Sequence, residues 1–204
     1  MRFLIYLILI ASAMLIAGLY GALHDQISFT VSSEYFTKFK YIQFGLVDSA
    51  LPDRVKAANI GFLATWWMGI PIGLFVGAFG FLHRSAKAMF VYSVSAFGVV
   101  ALVALLVGLG GLLYGWFFAS HQVSDYRGWF IPPELMKPRT FLAVGHMHNF
   151  SYLGGVVGLC VGILFQFILR KPELDSDQSV GASSAEIFTS PVPELKSSAR
   201  KLDE

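Results

Sequence analysis

The sequence predicts an all-α integral membrane four-helix bundle with structured outer loops and a disordered C-terminal tail. Three observations lead there. Only 14% of the 204 residues are charged, and the mean hydropathy is +0.63. A soluble domain carries about 25% charged residues. The apolar residues are gathered in four blocks that contain no Asp, Glu, Lys or Arg, at about 3–23, 57–82, 88–120 and 140–169. Each is long enough for a bilayer core of about 30 Å, which needs roughly 20 apolar residues in a helix. Backbone groups in hydrocarbon must find partners within their own segment, so each block is expected to be helical. The membrane domain is expected over 1–171 and the tail over 172–204.

Composition also excludes classes of function. A lone Cys160 cannot build a disulfide scaffold. A net charge of +2 is too small for a nucleic-acid footprint. The bilayer is therefore the expected partner, with a homo-oligomer or a larger membrane complex as further options.

The first block follows Arg2 and resembles the start of a signal peptide. It is longer than the usual apolar region of about 7–15 residues, and a cut after Ala22 would put bulky Tyr20 at a small-residue position. It is expected to remain as an uncleaved anchor. The loop at 24–56 packs Tyr35, Phe36, Phe39, Tyr41 and Phe44 among Lys38 and Lys40. Amphipathic aromatics with Lys suit the headgroup region, so a short interfacial helix or strand is expected there, with a lid over an outer-face site as the alternative. Ser49 can cap a helix whose first turn holds Pro52 and Asp53. Inside the second span, Pro71 should introduce a kink.

Gly69, Gly73 and Gly77 recur every fourth residue in the second span, as do Gly154, Gly158 and Gly162 in the fourth. Small residues at this spacing line one face and let backbones approach closely. Packing within the bundle is the expected use, and a homodimer face the alternative. The second outer loop, 121–139, ends at Pro138, well placed to open the last helix. The tail carries seven acids against three bases among Ser and Pro, and it cannot bury enough apolar area to offset its ordering entropy.

Four spans put both termini on one side. Lys and Arg are nearly balanced between the sides, but the short 83–87 connection carries two positives and Arg170–Lys171 abut the last span. Short, span-proximal positives weigh most. Both termini are thus expected in the cytoplasm, with the chain in a bacterial inner membrane.

The chemistry rests on histidine. The absence of charge in the blocks disfavours an ion-coupled transporter, which places ionisable groups in the membrane. Under this topology His24, His121, His146 and His148 lie on the outer side, with His83 opposite. All six acids outside the tail, Asp25 among them, share that outer side. His146 and His148 are two residues apart, so a regular helix turns them to roughly opposite faces. Asn149, Ser151 and Tyr152 add hydrogen-bond partners. Imidazoles suit copper, zinc and iron, and a bundle core can gather ligands from facing helices. A bis-histidine haem would need one histidine from each of two elements. No hydrolase, P-loop or dinucleotide motif is present, and Cys160 is expected to be buried and inert.

The stretch His24–Val31, followed by Glu34–Lys40, resembles the first loop of a family of uncharacterised bacterial four-span membrane proteins. The similarity extends into Ala64–Trp67 and His146–Gly155. It implies a bacterial membrane origin and the four-span layout, and no activity. Gly145–Asn149, with Gly154 soon after, is also similar to the HxH-plus-Asn helix of short relatives of the haem–copper oxidase main subunit. There Asn149 stands one place earlier, and the similarity carries no ligands across. Two functions follow as expectations. The first is a non-catalytic membrane scaffold or accessory subunit that assembles through its glycine faces. The alternative is a metal- or haem-binding protein, holding copper, zinc or haem, with His24, Asp25, His121, His146 and His148 as candidate ligands for redox or metal-handling work at the outer face.

Overall fold

Long apolar runs should propagate as helices until a polar turn stops them, and the computed structural model, which describes residues 1–170, shows this. Four helices are long and apolar enough to cross a membrane: α1 (Arg2–Val31), α2 (Asp53–Leu82), α3 (Ala86–Phe117) and α4 (Pro138–Ile168). Among the described residues there is no strand. The expected tail lies outside them.

Helix ends depart from expectation in two places that matter. The first helix runs on to Val31, so His24 and Asp25 sit on a helix face instead of opening a loop. The third stops at Phe117, so Phe118–Ser120 join His121 in the connection. Asp53 opens α2 behind Pro52 with no side-chain cap. Ser49 instead accepts from Leu51 N–H at 3.3 Å. The interruption expected near Pro71 is a 3-10 turn at Trp66–Met68. Pro71 lacks the N–H that would bond the Trp67 carbonyl, which loosens the ladder there.

Each helix pair in sequence forms a tight antiparallel hairpin, because glycine removes the side chains that would hold backbones apart. A Cβ on Gly69 would lie 2.3 Å from Met14 Cα, and one on Gly73 2.8 Å from Ile10 Cα. Gly77 faces the Tyr6 ring. The tightest crossing is mutual: a Cβ on either Gly21 or Gly61 would come within 2.1 Å of the other's carbonyl oxygen. In the second hairpin, Gly154, Gly158 and Gly162 face Ala104, Val100 and Ala96 of α3. These six positions are therefore engaged inside the chain. Cys160, two residues from both Gly158 and Gly162, faces outward and is exposed, which corrects the expectation of burial.

The two hairpins meet less intimately, and α1 and α4 touch least. That seam leaves room between them, and polar side chains bridge it at either end. Near the termini, Gln166 is fully buried. Its amide donates to Val76 O at 2.7 Å, and His83 Nε2 donates to its oxygen at 2.7 Å. Every strong bond of this pair is made inside the protein, which makes it a structural clasp.

The loop after α1 is not spread on a surface. Ser33–Tyr35, a π-turn at Phe36–Lys40 and Tyr41–Gln43 form a short helical segment. Tyr35, Phe36 and Tyr41 are buried against Ala57, Ile60, Phe141 and Leu142. The aromatics cover the seam, because burying them removes more apolar area from water than laying one face on headgroups.

Glu34 ties this segment to the second loop. Its carboxylate accepts from Met136 N–H at 2.9 Å and from Lys137 N–H at 2.7 Å, and it pairs with Lys38 at 2.9 Å. Lys38 also donates to the carbonyl of Glu134, whose φ of +57° turns the chain sharply. Burial raises the Glu34 carboxyl, but Lys38 and the two N–H groups outweigh it and hold it below its ordinary 4.5. The clasp therefore contributes stability above about pH 4.5, and that contribution is lost as pH falls through the lowered value. Glu34→Gln is expected to cost about 1 kcal/mol at neutral pH and to flatten the acid side of a melting-temperature profile. A profile unchanged from the parent would remove the clasp from the stability account.

Candidate metal centre

On a helix, residues three or four apart share a face. Tyr20 and His24 of α1 are one turn apart, as are His148 and Ser151 of α4. These two faces oppose each other across the seam at the loop end. His24 and Asp25 are almost fully buried, and the His148 side chain is 12% exposed.

Asp25 Oδ1 is the hub. His24 Nδ1 lies 3.0 Å from it and His148 Nε2 3.2 Å from it. The two rings meet edge to face with centroids 4.9 Å apart. One ligand atom from each of His24, Asp25 and His148 lies within 4.8 Å of the others. Neighbouring ligands on a tetrahedral ion at 2.0–2.1 Å are about 3.3 Å apart, and the 3.0 and 3.2 Å separations of the two imidazoles from Asp25 Oδ1 are close to that spacing.

His148 Nδ1 lies 2.9 Å from the Val144 carbonyl. A carbonyl only accepts, so Nδ1 carries the hydrogen. In a neutral ring, Nε2 then presents a lone pair to a carboxylate oxygen. Two acceptors at 3.2 Å repel, so one cation, a proton or a metal ion, must lie between them. The outer nitrogens suit the metal. His148 Nδ1–H is held by Val144 O, and His24 Nε2 lies 2.9 Å from Ser151 Oγ. Metal-ligating histidines usually donate their second N–H in this way. The Tyr35 ring packs against the His148 ring, centroids 4.8 Å apart and planes tilted by 30°.

Two cavities border the cluster. One, of about 80 Å³, lies in the seam; Tyr20, His24, Asp25 and His148 line it above an apolar floor that includes Ile72 and Phe97. The Tyr20 hydroxyl is buried beside Ser151. The second, of about 330 Å³, opens beneath the loops among Phe39, Trp129, Phe130 and Phe141. Lys40, His148 and Tyr152 line both cavities, so the cluster stands at their junction. Burial pushes the Lys40 ammonium down, opposed by the Asp25 carboxylate.

Of the five candidate ligands, the structure brings together His24, Asp25 and His148. The other two lie apart. The turn between His146 and His148 points His146 away, into a box of Tyr114, Trp129 and Phe150, with Nε2 3.1 Å from the Tyr126 hydroxyl. Tyr126 spends its own hydrogen on Ser120 O, so His146 is the donor. His121 is exposed and bonds Gly115 O at 3.3 Å. Met147 is buried core. The bis-histidine haem expectation meets an obstacle at His24 and His148, because rings in contact on one carboxylate oxygen leave no slot for a macrocycle.

Sequence reasoning missed Tyr20, Lys40 and the Val144 carbonyl. Tyr20 was accessible, being one turn before His24 on the same face. Lys40 was not, since only the folding of the loop over the seam brings it near Asp25. No family model, curated protein or solved structure matches the chain.

Proposed function

We propose that this is a metal-binding membrane protein in which His24, Asp25 and His148 hold one divalent transition-metal ion between the two helical hairpins. One observation carries the reading: one possible ligand atom from each of His24, Asp25 and His148 lies within 4.8 Å of the others, with His148 Nε2 facing an Asp25 oxygen at 3.2 Å across a gap that a proton or a metal ion fills. Two imidazoles and a carboxylate suit zinc, copper(II) or iron(II). Three protein ligands leave coordination positions free, as catalytic sites require, and the neighbouring cavities give those positions space. When bound, the ion would supply Lewis-acid or redox chemistry. The chain's own groups would orient it through Ser151 and Val144 and exclude bulk water with the aromatic loop.

In this reading the chain lies in a bacterial inner membrane with both termini cytoplasmic, on the charge of the 83–87 turn and of Arg170–Lys171. The site then works near the outer face. The scaffold alternative draws less support, because the six glycines proposed for assembly already serve contacts within the chain.

The test is elemental analysis and a visible spectrum on detergent-purified protein. About one ion per chain, lost in His148→Ala and retained in His121→Ala, is the expected result. A preparation still empty after incubation with zinc, copper(II) and iron(II) would mean that a proton fills the gap, and the reading fails. A Soret band would overturn the single-ion version.

A further inference from the structure

The cavity under the loops is about 330 Å³, roughly twice the apolar cavity of about 150 Å³ that encloses a benzene ring. It has room for one six-membered ring with several substituents. It is too small for a macrocycle. Aromatic rings form part of its wall: Phe39 and Phe130 stack on each other at 5.3 Å, with Trp129 and Phe141 beside them in an open cleft. Faces and edges of this kind accept a flat ring in offset or T-shaped contact.

Polar and apolar surface line it in nearly equal measure, the polar share including Lys40, His148, Asn149 and Tyr152. Lys40 Nζ sits 4.8 Å over the Phe39 ring and donates to Gln43 at 2.9 Å, which leaves further ammonium hydrogens for a guest. Asn149 is exposed to the cavity, and Tyr152 and His148 stand where it meets the metal cluster. A guest ring would thus have its oxygen substituents met by a cation, an amide and a phenol, with the proposed ion beyond His148. The smaller cavity continues past the cluster along apolar residues, with the buried Tyr20 hydroxyl at its polar end.

We propose that this vestibule binds a single-ring aromatic bearing hydroxyl or carbonyl oxygens, of the phenol, catechol or quinol class, with an oxygen directed at the His24–Asp25–His148 centre. The inference rests on the metal reading for the role of that oxygen, and on cavity geometry for the ring itself. The positive charge of the ion and Lys40 favours an oxygen that can carry negative charge, and the aromatic walls select against a simple inorganic anion. Such a ring could arrive as a water-soluble phenol from the loop side or as the head of a lipid-soluble quinol from the bilayer.

The test uses the full-length protein in detergent micelles, titrated with 4-nitrocatechol while its tryptophan emission and the visible spectrum of the probe are followed. Saturable quenching that is strongly reduced in Trp129→Phe would place the ring against that wall. Asn149→Trp, which fills the vestibule from an exposed position, should weaken binding at least tenfold with circular dichroism and metal content unchanged. In metal-loaded protein the catechol absorption should shift, and in metal-free protein it should not. A second titration with a benzoquinol carrying a ten-carbon chain identifies the source: tighter binding than the chain-free quinol points to the bilayer, and equal binding points to the aqueous side. Metal binding without saturable ring binding, or equal affinity in Asn149→Trp, overturns this inference and leaves the metal reading standing. Ring binding in a protein that takes up no metal retains the vestibule and removes the centre.

Discussion

Asp25→Asn is expected to weaken metal binding by more than about 100-fold while leaving the helical fold intact. Removing groups that merely orient ligands typically costs 10–100-fold, and Asp25 would be a ligand of the proposed centre as well as the hub of both imidazoles. The substitution keeps the shape of the side chain and its acceptor oxygen, and the amide can donate to His148 Nε2. It therefore satisfies the hydrogen bonds while removing the charge that a divalent ion needs. Ser151→Ala should show the milder loss expected of an orienting partner. His146→Ala should leave metal content unchanged, because its ring lies in another compartment. Cobalt(II) substitution gives the readout, through its visible bands and stoichiometry. An Asp25→Asn protein that binds cobalt as tightly as the parent would rule out the three-residue centre.

Gly61→Ala is expected to be the most damaging single methyl addition on α2. The new Cβ would lie 2.1 Å from Gly21 O and 2.5 Å from its carbonyl carbon. Neither atom can swing aside, since both are backbone of a long helix, so α1 and α2 must separate. Overpacking costs about 1–3 kcal/mol, occasionally more, and a backbone clash belongs near the top of that range. A drop in melting temperature on the order of 10 °C follows for a chain of this size. Thr65, which bonds Ala17 O at 2.7 Å and Gly61 O at 2.8 Å across the same crossing, would lose its geometry as well. Gly98→Ala is the control. Nothing lies within 4 Å of its would-be Cβ, and an alanine in a helix interior is favoured over glycine by about 0.5–1 kcal/mol. Equal melting temperatures for Gly61→Ala and the parent would show that the crossing is looser than described. A shift of α1 also carries His24 and Asp25 away from α4, so metal affinity should fall with stability although Gly61 is not a ligand.

Much of the site could be read before folding. The spacing of His146 and His148 sets them on different faces of any regular helix, so only one could join a common centre. His24 and Asp25 were legible as candidates because both types bind metals and both lie at the loop end. Which of the two α4 histidines joins them was not legible, since that depends on the rotation of α4 about its axis, fixed by Gly154, Gly158 and Gly162 against α3. His121 lies apart from this cluster, exposed in the connection after α3, where the sequence already placed it. The aromatic run at 35–44 fits a headgroup belt as well as a plug, and pattern alone does not choose between them.

What the sequence determined by itself is the architecture: four uncharged runs of bilayer length must be helices, because hydrocarbon offers their backbone no other partner. Glycine spacing further determined which faces could pack closely. Only the tertiary structure decided that the hairpins leave a seam at the loop end, that His24, Asp25 and His148 share one oxygen there, and that the loop aromatics close over them. Those outcomes depend on helix rotation and long-range approach between residues more than 100 positions apart, such as Asp25 and His148. Local periodicity encodes each face, and packing alone selects which faces meet.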